Sequence, residues 1–237
     1  MLKKILVFIL IGALIFIASG CKKGEEVETD KIPSEGSYVR CIEVEEKVPY
    51  NDVADDVVLP YYDENTLFED SNLIFKGKVL DEKEIAIEEY VNGELNNTYY
   101  YDVSTFEIEK IYYSEDPSLE VGDVIKVANA SCSYWWVEGT LKMEKDKEYI
   151  VLAIRSSEIS YTDFTKYYDY IVTNYWVPII LVENGRYYVD EELTSLTNNA
   201  EEEIIREDGT FKTTIYVKGE EFEEELSSLI LEKKGES

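Results

Sequence analysis

The chain has 237 residues, with 51 acidic against 23 basic side chains, a formal net charge of −28 and no histidine. Such an acid excess excludes nucleic acid as a partner, because binding it requires a basic patch that neutralises phosphates. The lack of histidine removes Ser-His-Asp and Cys-His nucleophile systems and every His-ligated metal site.

At the N-terminus, Lys3 and Lys4 precede an apolar stretch from Ile5 to Ile17, and Ala18, Ser19 and Gly20 lead into Cys21. That is the three-part order of a secretory signal peptide. An uncleaved membrane helix is the competing reading of the same residues. Small side chains before Cys21 favour cleavage, since a peptidase needs narrow groups around the bond it cuts. Ala18-Ser19-Gly20-Cys21 resembles the lipobox of bacterial lipoproteins. The resemblance implies a signal peptide over 1–20, cleavage before Cys21, and a diacylglycerol thioether on Cys21, with palmitate among its acyl chains. It places the protein on the extracytoplasmic face of the cell membrane, with the lipid bilayer as partner through acylated Cys21. Two chains suffice for stable attachment, because each buried methylene contributes about 0.8 kcal/mol and one chain alone holds only marginally.

Residues 21–37 are rich in charge, Gly, Pro and Ser and read as a flexible tether. A β-rich extracytoplasmic domain is expected over 38–237. With Cys21 acylated, Cys41 and Cys132 remain, either as one disulfide or as two buried thiols. The acidic cluster Asp52, Asp55, Asp56, Asp63, Glu64, Glu69 and Asp70 reads as solvated surface or as a set of calcium-binding oxygens. No segment matches an EF-hand loop, so no metal ligand is singled out.

Further along, turn chemistry predicts hairpins at Asn92-Gly93, Asn184-Gly185 and Asp208-Gly209, since both central residues of a type I′ turn need positive φ. Strands are predicted over Asn72 to Leu80, Thr105 to Tyr113, Asp123 to Ala130 and Glu148 to Arg155. In the second of these, Phe106, Ile108 and Lys110 share one face and Glu107, Glu109 and Ile111 the other, as in a half-buried strand. The run "YIVLAI" is apolar on both faces and belongs at the centre of the fold. Gly77, inside a strand pattern, predicts a bulge where the sheet curls. At the C-terminal end, Phe222, Leu226, Leu229 and Ile230 recur at helical spacing, with acids early and Lys233 and Lys234 late, matching the helix dipole.

The expected fold class is mainly β: an antiparallel meander closing into an OB-like barrel over about 67–155, then C-terminal hairpins and one helix over about 156–237. The segments "LIFKGKV", "STFEIEKIYY", "LEVGDVIKV" and "KDKEYIVLAI" resemble the small OB-like barrels of exported bacterial proteins, a class that includes tissue-inhibitor-of-metalloproteinase-like domains. Inhibitors of that family use a free N-terminal Cys, whereas here a tether precedes the domain.

The 20 tyrosines often stand in adjacent pairs. Neighbours on a strand point to opposite faces, so one member of each pair leaves the core. Exposed aromatics suit recognition because they offer a large rigid area. Tyr134, Trp135 and Trp136, beside Cys132, form the candidate binding surface. No phosphate-cradling Gly-rich motif is present, and no carboxylate pair stands out for catalysis. The expectation is therefore a binding module for an envelope protein or peptide, with no catalytic residue and no cofactor. A glycan- or calcium-dependent envelope module is the alternative.

Overall fold

Both Asn-Gly turns fold as their chemistry demands. Asn92 and Gly93 have φ of 52° and 83°, and Asn184 and Gly185 have 53° and 72°. A computed structural model describes residues 32–44, 63–129, 142–159, 166–173, 178–197, 199–207, 210–219 and 221–235. Its elements are β1 (Ser37–Glu43), helix α1 (Glu64–Asp70), β2 (Leu73–Val91), β3 (Glu94–Ser114), β4 (Val124–Asn129), β5 (Glu148–Arg155), the single turn α2 (Ser156–Ile159), β6 (Tyr170–Val172), β7 (Ile179–Glu183), β8 (Arg186–Tyr188), β9 (Glu201–Glu207), β10 (Thr210–Lys218) and helix α3 (Glu221–Lys234). The fold is mainly β and mostly antiparallel, with C-terminal hairpins and a C-terminal helix. β9 and β10 pair as the third predicted hairpin, although Asp208 and Gly209 lie outside the described residues. No helix among the described residues is long and apolar enough to cross a membrane.

Five strands close into a ring. β2 pairs with β3, β3 with β4, β4 with β6 and β6 with β5, and β5 returns to β2 over Leu73 to Lys78. This is the Greek-key closure of an OB-like fold. Two features depart from the expected meander. The β4–β6 pair is parallel, because the chain runs through β5 before rejoining β4. The closing strand β6 also falls beyond Arg155, so the ring extends past the expected 67–155.

Strand β5 shows why "YIVLAI" is apolar on both faces. Tyr149, Val151 and Ala153 point into the ring beside Phe75, Phe106, Ile108 and Val127. Ile150 and Leu152 point outward into a second core with Leu67, Phe68, Ile180, Tyr187 and the helix residues Phe222, Leu226, Leu229 and Ile230. The four predicted helix positions are therefore the ones that α3 buries. Beyond the register irregularity at Val79 and Asp81, β2 and β3 continue as an arm with β1 at its edge.

Gly77 sits at a register shift, as predicted. A Cβ there would lie 2.7 Å from the Glu107 carbonyl oxygen and 3.0 Å from Phe75 Cε2. Backbone cannot yield as a flexible side chain can. Gly77→Ala is expected to lower stability by about 1–3 kcal/mol, read from the urea midpoint of the full chain. An unchanged midpoint would mean that β3 can move aside at no cost.

Candidate functional site

Strand alternation builds the site. On β3, Phe106 and Ile108 face the ring interior, and stepping back by two residues carries that face to Ser104 and Asp102. Asp102 thus stands at the mouth of the ring, opposite Glu84 of β2 and Asn129 of β4. It is 2% exposed. Around it, Glu43, Glu82, Lys83, Glu84 and Lys142 line a pocket of about 550 Å³. The mouth of a β-ring is a common place for ligands.

The far wall is fixed from below. Tyr149, buried in the ring, donates its hydroxyl to the Lys142 carbonyl at 3.3 Å and accepts from the Glu144 amide at 2.8 Å. Burial pushes that phenol up to about 12. Ser104 Oγ reaches the Met143 carbonyl at 3.5 Å, and Met143 is fully buried. Lys142 enters the pocket from this anchored turn and lies 3.8 Å from Glu82 Oε1.

Two carboxylate oxygens in the pocket, Asp102 Oδ1 and Glu82 Oε2, are buried without a hydrogen-bond donor among the described residues. Burial pushes the Asp102 carboxyl up to about 7; Lys142 opposes this, and Glu82 and Glu84 reinforce it. Leaving a buried acceptor unmatched costs about 1–3 kcal/mol, more when charged. The arrangement can accept hydrogen bonds from an incoming donor, and the pocket can change its charge near neutral pH. Among the described residues, no group of three or more Cys, Asp or Glu side chains is placed to hold a metal ion.

The residues singled out from sequence stand elsewhere. Cys21, Cys132, Tyr134, Trp135, Trp136, Asp52, Asp55 and Asp56 lie outside the described residues. Cys41 is a half-buried free thiol on β1, pushed up by burial. The described part of the acidic cluster has structural work. Asp63 caps α1 by accepting from the Thr66 amide at 2.9 Å, and Glu64 accepts from the hydroxyls of Thr194 and Ser195. Glu69 and Asp70 are exposed at the end of α1. Asn129 and Lys142, which flank residues 130–141, both border the Asp102 site.

No protein-family model matches the chain, and no curated protein sequence matches it. Fold and pocket together define its class: a mainly β protein with a closed ring of strands and a carboxylate-lined mouth.

Proposed function

We propose that the chain is a lipid-anchored extracytoplasmic lipoprotein whose β-rich domain binds a protein or peptide and catalyses no reaction. The binding half rests on Asp102. A domain with a purely scaffolding role gains nothing from a buried carboxylate oxygen, Asp102 Oδ1, that no donor among the described residues meets, whereas a binding site uses such an acceptor to select its ligand. Anchoring rests on Ala18-Ser19-Gly20-Cys21 and on the charged tether that follows it. In this reading the tether lifts the ring from the bilayer, and Cys21 with its acyl chains holds the protein at the cell membrane.

The test is the intact mass and membrane fractionation of the native protein beside Cys21→Ala. Cleavage before Cys21 plus the mass of the lipid is expected for the native chain, with the variant unprocessed or released. An unmodified Cys21 in a chain that keeps its apolar segment would overturn the lipoprotein reading.

A further inference from the structure

We infer that the pocket at the ring mouth is a binding site for one organic cation, the ammonium or guanidinium group of a basic side chain, received by Asp102 Oδ1 and Glu82 Oε2. This names the ligand class for the proposed binding function and rests on that reading. Asp102 lines the pocket while being 2% exposed, and its Oδ1 has no donor among the described residues. Glu82 contributes a second buried oxygen without one. When ionised, both atoms are acceptors only, so the matching partner brings N–H groups; an ammonium has three and a guanidinium five.

The charged groups acting on Asp102 are Glu82 and Glu84 from β2 and Lys142 from the turn before β5, while Lys83 and Glu43 line the rest of the pocket. Three carboxylates including Asp102 therefore meet one ammonium group. Both lysines also have carboxylates of their own: Lys142 lies 3.8 Å from Glu82 Oε1 and Lys83 lies 3.8 Å from Glu43. The remaining acid excess attracts a cation. No set of three described acids is close enough for a divalent metal, which favours a cation that brings its own hydrogen bonds. A volume of about 550 Å³ has room for a whole side chain.

The Asp102 carboxyl, at about 7, must ionise to receive the cation, so affinity rises with pH. Between pH 5.5 and pH 8 its ionised fraction grows about thirtyfold, and affinity for a probe should grow by a similar factor.

The experiment titrates the full-length protein in detergent micelles with N-acetyl-lysine methylamide, its arginine and norleucine counterparts and 1,4-diaminobutane, by calorimetry at pH 5.5 and pH 8. Expected are saturable binding of the cationic probes at pH 8, about thirtyfold weakening at pH 5.5, and no norleucine binding. Asp102→Asn is expected to keep its circular dichroism spectrum while losing both the affinity and its pH step; Glu82→Gln should weaken binding several-fold. Diamine affinity equal to that of the lysine amide would point to a free amine, and weaker affinity to a peptide side chain; either keeps the site. Equal binding of norleucine, unchanged binding in Asp102→Asn, or calcium binding without amine binding would overturn the inference. A panel of peptides free of Lys and Arg separates the two levels. If those peptides bind while amines do not, only the cation class falls; if no probe and no peptide binds, the binding function falls with it.

Discussion

Asp102→Asn is expected to stabilise the protein at alkaline pH and to change little near pH 4. The Asp102 carboxyl, ordinarily at 3.8, is raised to about 7 in the folded protein. Below 4 it is protonated in the folded and unfolded chains alike. As pH rises from 4 to 7 the unfolded chain releases its proton while the folded one retains it, so folding loses stability across that window. Above 7 both forms are ionised and the loss is complete, on the order of 4 kcal/mol. At 2% exposure, solvent screening offers little relief. Asn has the shape of the neutral acid and never ionises. Its amide still lies buried, so the expected gain at pH 8 is roughly 2–4 kcal/mol. Urea midpoints of the two proteins from pH 4 to pH 9 give the difference directly. A difference curve with no step near neutral pH would show that the carboxyl is solvated in the native protein. A cation bound to the ionised carboxylate only in the folded state, as proposed, would return stability to it.

Much of the architecture was legible because its signals are local. Asn-Gly turns, the spacing of Phe222, Leu226, Leu229 and Ile230, and the doubly apolar β5 each lie within one short stretch of chain. Gly77 was legible as a bulge for the same reason. What escaped depends on contacts distant in sequence. The closing strand β6 is only three residues long, Tyr170–Val172, and its pairing with β4 is set by topology rather than by pattern. Helix α1 is seven residues in an acidic run, too short for periodicity to show, so Asp63 read as part of a solvated or calcium-binding acidic cluster instead of a cap. Strands β2 and β3 join the runs on either side of Asn92-Gly93 to the strands predicted over Asn72 to Leu80 and Thr105 to Tyr113, so each is one long strand where the pattern offered two pieces. Asp102 was within reach: it stands two steps of two residues before Phe106, in phase with the core. An acid on the buried parity of a strand is the signal, but only the closed ring shows that it faces a pocket. Tyrosine pairing was informative in a different way. Tyr187 packs in the outer core, while Tyr188 lies on the opposite face at 5.8 Å from Tyr216.

Phe222→Ala is expected to destabilise the protein by about 3–5 kcal/mol, the range for emptying a large aromatic site in a core. Phe222 is 1% exposed and stacks on Tyr187, with ring centroids 4.3 Å apart and planes at 22°. Its loss removes that stacking and opens a space between α3 and the outer face of the ring. The same turn of α3 carries Glu223, which accepts from Lys110 Nζ at 2.7 Å and from the Tyr187 hydroxyl at 2.9 Å. At the other end, Lys234 Nζ donates to the carbonyls of Glu69 and Ser71 at 2.8 and 2.7 Å, tying the helix to α1. These polar ties hold the helix in place, so the cavity cannot be closed simply by α3 settling inward. Leu231→Ala is the control, since Leu231 is 49% exposed, and should cost less than about 0.5 kcal/mol. The damage should not stay on the helix side. Because β5 supplies Tyr149, Val151 and Ala153 to the ring interior and Ile150 and Leu152 to the outer core, the two cores share one backbone. Unfolding of the variant followed by circular dichroism and by tyrosine fluorescence should therefore give coincident midpoints, both lowered. Two separated transitions would mean that the ring stands without its helix, and that β5 does not couple the two cores.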